Sequence, residues 1–305
     1  MIRIAYNGVD ITDSVSVSRC YHDMYSGDRS DTLNISFSDS EKLWDAWAPT
    51  VGDEIRIDYD VISTGAMFIA KIMPQNGIFG ITAQAAPASG FIRRNKAWSN
   101  VHFLQIGAEM AQRNGLSFHS YGVEDRLYSY VMQADGDFRF LNRLAQLEGC
   151  AVVIYDKKLV VYNEAAMEAQ ESSETLDVTI DGDYKYQDRR IELFGSCSIQ
   201  SGIYSGNFSV DNGSSRVLVP TSMPTVGSNS EAERFAKNLL RNANKGCCGG
   251  YVRAPILPGY APASVVELSN ARAPSWDGPV FIDHIRNDYT GGNSKIFFRK
   301  PLEGY

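Results

Sequence analysis

The residue types that most often carry chemistry are present in this chain, but they do not group into a working set. Asp135-Gly136-Asp137 and Asp181-Gly182-Asp183 open like calcium loops. Neither continues with the further oxygen ligands and the closing Glu that such a loop needs, so each reads as a turn or a helix cap. The four histidines, His22, His102, His119 and His284, show neither metal-ligand nor triad spacing. Cys150 opens the apolar run Cys150-Ala151-Val152-Val153-Ile154, which suits a core thiol rather than a nucleophile. No phosphate loop, dinucleotide fingerprint or Gly-x-Ser-x-Gly elbow occurs. Two carboxylates could still meet in space as a glycosidase pair, though no spacing selects one. The expectation is therefore no catalytic residue, no cofactor and no metal. One basic cluster, Arg93-Arg94-Asn95-Lys96 beside Trp98, reads as a solvated domain junction, with a phosphate site as the alternative. Arg93, Arg94, Lys96 and Trp98 are also candidate interface residues.

The elements that would position these residues are mostly strands. Gly65-Ala66-Met67-Phe68-Ile69-Ala70-Lys71-Ile72 returns as Gly278-Pro279-Val280-Phe281-Ile282-Asp283-His284-Ile285. Both read Gly-x-x-Phe-Ile-x-x-Ile, and their β-branched and aromatic content favours a strand entered through a glycine turn. The flanks correspond as well. Glu54-Ile55-Arg56-Ile57-Asp58 precedes the first copy and Ser264-Val265-Val266-Glu267-Leu268 the second. Gly77 with Ile78-Phe79-Gly80-Ile81 follows the first, and Gly291-Gly292 with Lys295-Ile296-Phe297-Phe298 follows the second. Gly65, Phe68, Ile69, Ile72, Gly278, Phe281, Ile282 and Ile285 thus mark a structural repeat and two related β-domains. Chance recurrence of a common hairpin start is the alternative, and agreement in flanking order speaks for duplication. Two copies are too few for a solenoid.

A length of 305 residues suggests two or three domains, and 44% hydrophobic content allows a sizeable core. A net charge of -7 argues against dedicated nucleic-acid binding. No stretch is long and apolar enough for a transmembrane helix, and the start, Met1-Ile2-Arg3-Ile4, lacks a signal core. That points to synthesis in the cytoplasm, no membrane and five reduced cysteines, including adjacent Cys247 and Cys248.

In chain order, Leu33, Ile35 and Phe37 alternate with polar residues as a half-buried strand. Leu43, Trp44 and Trp47 suggest a short helical turn stopped by Pro49. Asn100 is the expected cap of a helix carrying Val101, Leu104, Ala108 and Ala111 and ended by Gly115. A second helix starts at Asp135-Gly136-Asp137 and stops at Gly149, and a hairpin from Cys150 to Tyr162 follows. Residues 163–175 read as a polar, acidic linker. Ser230 with Glu233 is the expected capping box of a helix near 231–244. The expected fold is β-rich α+β, with two tube-like β-barrel domains and a small α/β insert. The first barrel spans 1–95, with strands from 176–220 as a possible completion. The α/β domain spans 96–168, and the second barrel 169–305 includes the helix near 231–244.

Ala97-Trp98-Ser99-Asn100-Val101, Ile106-Gly107-Ala108-Glu109, the run Gln133 to Ala145, Gly149 and Leu159-Val160-Val161 resemble the late-control D family of contractile phage tails, the baseplate hub proteins. The helix from Glu231 to Leu240, Pro258-Gly259 and both copies of the repeat agree in order with that family, so the likeness covers most of the chain. The resemblance implies a homotrimer with two tube-like barrels per subunit, joining the tail tube to a central spike. It implies tail tube or tube-initiator, spike and other baseplate proteins as partners. It also implies assembly in the bacterial host's cytoplasm, within a phage tail or a tail-like bacteriocin. The likeness is greatest to short Gram-positive-type hubs. Two other classes stay open: a tail-associated cell-wall hydrolase, and a carbohydrate-binding module using exposed aromatics such as Trp98 or Trp276.

Overall fold

Alternating apolar residues near the N-terminus place one side of each strand in a core and leave the other outside. A computed structural model describes residues 2–178, 182–221 and 225–305; Met1 and Asp181, named above, lie outside these. The first unit contains β1 (Ile2–Tyr6), β2 (Val9–Asp10), β3 (Ser16–Tyr25), β4 (Thr32–Ser38), α1 (Leu43–Trp47), β5 (Glu54–Tyr59), β6 (Ile62–Ser63), β7 (Met67–Gln75) and β8 (Ile78–Gln84). The α/β insert contains β9 (Lys96–His102), α2 (Phe103–Arg113), β10 (Ser117–Tyr121), β11 (Leu127–Gln133), α3 (Asp137–Leu147), β12 (Cys150–Tyr155), β13 (Lys158–Asn163) and α4 (Glu164–Glu168). Then come β14 (Thr175–Asp177), β15 (Tyr184–Asp188), β16 (Ser196–Ser201), β17 (Tyr204–Ser209), β18 (Val217–Leu218), α5 (Asn229–Asn244), β19 (Cys248–Pro255), β20 (Val265–Ser269), β21 (Gly278–Asp288) and β22 (Asn293–Arg299). The class is β-rich α+β.

Both β-units belong to one 14-stranded sheet, whose main path runs β15-β19-β22-β21-β3-β4-β8-β7-β5-β1-β2. The first unit buries Leu33, Ile35, Phe37, Ile55, Ile57 and Ile69 around Trp44. The second has a separate core of Val252, Val266, Leu268, Val280, Ile282, Ile296 and Phe298.

The copies of the repeat occupy matching ladders. Phe68 faces Glu54 on one side and Gln84 on the other; Phe281 faces Val265 and Arg299. Each ladder slips by one residue at the same place, between Ile69 and Lys71 and between Ile282 and His284. A bulge of this kind adds local twist. Ile69, Phe281, Ile282 and Ile285 are buried, while Phe68 and Ile72 are half-buried.

Gly65 has φ +63° and Gly278 φ +111°. A Cβ on Gly65 would also lie 2.8 Å from Cβ of Asp156 in the insert, whereas the nearest atom at Gly278 is Lys300 Nζ at 3.8 Å. Gly65→Val should therefore cost more than Gly278→Val, which carries only the backbone strain of about 1–3 kcal/mol. Urea midpoints that reverse this order would refute the close approach of Asp156.

Several local expectations shift. Asn100 caps no helix: it lies in β9 with φ +50°. The β9 residues pair with β11, so α2 starts two residues later than a cap at Asn100 would place it, at Phe103. Its cap comes from elsewhere, because Asp125 Oδ1 accepts from Leu104 N–H at 3.0 Å. At α5 the sequence offers two Ser-x-x-Glu registers, and the chain uses the earlier. Ser228, not Ser230, is the N-cap and accepts from Glu231 N–H, while Glu231 accepts from Gly227 N–H at 2.5 Å. Among the described residues no strand from 176–220 completes the first unit, since β14 pairs with β20 and β15 with β19. The strands β16, β17 and β18 form their own sheet under α5. Its apolar side joins the large core shared with the insert, so 169–305 is not a single β-unit.

Candidate functional site

The seam between the two β-units is made by β3 and β21. Tyr25 pairs with His284, Met24 with Ile285, Asp23 with Arg286 and His22 with Asn287. On one side of the seam the His284 ring lies between Tyr25 and Phe297, with centroids 4.5 and 4.6 Å away and both ring pairs stacked. Asp23 accepts from His284 Nε2 at 2.7 Å and from Arg286 at 2.8 and 3.2 Å. Burial pushes the Asp23 carboxyl up, but bonds from His284 and Arg286 outweigh it and hold the group below the usual carboxylate range. On the opposite side His22 is fully buried, and its Nδ1 meets the Tyr289 hydroxyl at 3.0 Å.

Burial lowers the His22 pKa from 6.5 to about 4 against a smaller upward pull from Asp23. The folded seam thus holds the ring neutral while the unfolded chain binds a proton below pH 6.5. Stability is full above pH 6.5 and falls as pH drops towards 4, by up to about 3 kcal/mol. His22→Gln should flatten that part of the curve. Equal slopes for both proteins in urea unfolding between pH 7 and 4.5 would count against it.

Behind the repeat lies a buried charge cluster. The segment expected to be a polar linker instead forms α4, and its Glu164 and Glu168 are only 6% and 7% exposed. Arg241 from α5 reaches Glu164 and Glu168, each at 2.7 Å. Arg299 from β22 is 1% exposed. Its Nε meets Asp283 at 2.9 Å, one Nη meets Glu164 at 3.2 Å, and the other meets Glu168. Lys245 adds a contact to Glu164 at 3.0 Å. Burial pushes the Glu164 carboxyl up, but Lys245, Arg299 and Arg241 together outweigh it and hold the group low. Three cations thus face three carboxylates where the insert, α5 and the second β-unit meet. Asp283 is the residue skipped by the bulge in β21; its counterpart Ala70 is exposed.

Sequence reasoning missed this cluster. Two weak signals were available: Glu164 and Glu168 share one helical face at i,i+4, and Arg299 follows the apolar run Ile296-Phe297-Phe298.

The basic cluster at 93–98 is drawn into the chain's own contacts. Arg93 donates to the Ala134 carbonyl, Arg94 lies 3.7 Å from buried Asp137, and Lys96 meets Glu109 at 2.5 Å. Trp98 is 8% exposed and donates to Glu109. It is therefore not an exposed aromatic for a sugar groove, and half-buried Trp276 packs on Tyr186 at 5.0 Å. Gly136 is the N-cap of α3, and Asp137 accepts from Arg113, Asn114 and Gln133. Asp183 pairs with Arg253 at 3.4 Å. His102 meets Asp125, and His119 lies near Ser117. Among the described residues no group of three or more His, Cys, Asp or Glu side chains could hold a metal, and no helix is long and apolar enough to cross a membrane. All five cysteines are free; Cys20, Cys150 and Cys197 are buried.

No family model matches the chain, and no curated protein matches it by sequence. Solved structures do match in fold. The 43 kDa tail protein of prophage MuSo2 from Shewanella oneidensis is 11% identical with a TM-score of 0.76, over 98% of each chain. A tail protein from Neisseria meningitidis MC58 is 11% identical with a TM-score of 0.74, over 98% of this chain and 95% of its own. An E. coli component of the type VI secretion system is 12% identical with a TM-score of 0.62, over 99% of this chain and 78% of its own; it is itself described as similar to the T4 tail proteins gp27 and gp5. The chain has the fold of these tail and type VI secretion proteins.

Proposed function

We propose that a chain with this tail-protein fold is a structural baseplate hub, three copies of which form a pseudo-sixfold ring joining the tail tube to the central spike. The observation that carries the reading is the pair of matching ladders within one sheet, with the same one-residue slip after Ile69 and after Ile282. Closed assemblies need repeated, matching surfaces. Two like units per subunit in a trimer give six positions for a sixfold tube, while the trimer itself gives three for a spike. Partners are further copies of this chain, the tube or tube-initiator protein, the spike and other baseplate proteins. The host particle is a phage tail or a tail-like bacteriocin, assembled in the bacterial cytoplasm. The fold shared with the Shewanella and Neisseria tail proteins supports this placement.

The test is an image of the assembled particle. Three copies with both β-units in the ring are expected; six copies, or one unit left outside, would overturn the reading. We also infer that the chain has no catalytic activity. Zymography on peptidoglycan should show no clearing by the purified protein, and clearing that disappears with one carboxylate-to-amide change would establish a hydrolase instead.

A further inference from the structure

A cavity of about 640 Å³ opens where the first unit, the insert and the second unit meet. Tyr25, Tyr121, Tyr155, Tyr162 and Tyr260 line it, with Asp31. Three of the tyrosine hydroxyls are committed to backbone carbonyls: Tyr155 to Ser63, Tyr162 to Ser26 and Tyr260 to Thr175. Those bonds fix the rings and leave their apolar surfaces for a ligand. Asp31 is 5% exposed and is the only charged side chain lining the cavity among the described residues. Its Oδ1 accepts from Tyr25 N–H at 2.9 Å, and no Lys, Arg or His side chain pairs with the carboxyl among the described residues. Val61 and Leu257, 80% and 45% exposed, stand at the rim. With Tyr121, 58% exposed, they leave apolar surface open beside the cavity.

A buried carboxyl with no cation beside it is costly to ionise. Burial indeed pushes Asp31 up to about 7, against a downward pull from the Tyr25 N–H and with a further upward push from Asp23. Aromatic faces and an unpaired carboxylate together suit a cation on an apolar stem. We propose that this cavity is a socket for an Arg or Lys side chain, carried between apolar residues on an extended segment of a partner protein, with its charged head against Asp31. The chemistry of the socket stands by itself; only the source of the segment, another baseplate component, rests on the hub reading.

Calorimetric titration of the full chain at pH 8 with acetyl-Val-Arg-Val-amide tests this directly. The same peptide with citrulline for Arg is the neutral control. The Arg peptide should bind, and the citrulline peptide about 30-fold more weakly. Asp31→Asn should abolish the preference, and Tyr121→Ala, at an exposed position on the cavity wall, should weaken both peptides. No binding of the Arg peptide, equal affinities in the unaltered protein, or a preference that survives Asp31→Asn would overturn the proposal. Should Asp31→Asn fail to fold, the citrulline comparison and Tyr121→Ala decide. A ring image that contradicts the hub reading leaves this result unaffected, and the reverse also holds.

Discussion

Arg299→Ala should destabilise the fold by about 3–5 kcal/mol, the usual cost of removing one partner from a buried ion pair. Domains are stable by only about 5–15 kcal/mol, so the variant should be largely unfolded at modest urea. The reason is a count of charges. Without Arg299, the cations left for Glu164, Glu168 and Asp283 among the described residues are Arg241 and Lys245. The arginine also lies over the Phe281 ring at 4.4 Å, so truncation removes packing as well. Arg299→Lys keeps the charge but loses the planar fork that reaches three acids at once, and should fall between. The cluster also gives an acid limb. Because Glu164 is held low, its contribution is complete above the ordinary carboxylate range and is lost as pH falls through its folded value. A urea midpoint shift for Arg299→Ala worth less than about 1 kcal/mol would show that the cluster is not what holds these elements together.

Gly206→Ala should lift α5 from its sheet. A Cβ there would lie 2.2 Å from the Glu233 nitrogen and 2.3 Å from the Ala232 carbonyl carbon. Both are helix backbone, so no side chain can turn aside. Overpacking of this kind costs about 3 kcal/mol when the neighbours cannot yield. The loss should spread, because α5 also carries Arg234, which meets Glu148 at 2.8 and 3.0 Å, and Asn238, which donates to the Leu147 carbonyl. Amide exchange should therefore quicken in α5 and in the end of α3 together. Exchange unchanged in both would mean that helix and strand lie farther apart than described.

Strand positions are legible in the sequence wherever polar and apolar residues alternate, as at Leu33, Ile35 and Phe37, because one-sided burial imposes a period of two. The start of α3 is legible at Asp135-Gly136-Asp137 for a similarly local reason. The start of α2 is not, because pairing of β9 with a later strand overrides the local capping signal at Asn100. Glu164 and Glu168 look like linker residues because their partners, Arg241 and Arg299, are 73 to 135 positions away in sequence. Charges read as solvent-facing until the chain supplies a counter-ion from afar. That both β-units share one sheet is equally hidden, since strand pairing leaves no local mark on composition. The candidate socket is invisible for the same reason: Asp31, Tyr121 and Tyr260 come from three separate regions.

The seam between β3 and β21 has a consequence in time. β3 ends at Tyr25 and β21 begins at Gly278, so roughly 250 residues are synthesised between them, which takes on the order of tens of seconds at ordinary elongation rates. Throughout that interval the edge of β3 that later receives β21 has no partner from its own chain, and an open edge invites pairing with other chains. The first unit can gather its local strands early, but His22 gains the Tyr289 hydroxyl and Asp23 gains His284 and Arg286 only near the end of synthesis. The late closure of this edge separates two chain-to-chain hazards: before it, a growing copy exposes the same strand edge as every other growing copy; after it, that edge is no longer available to them.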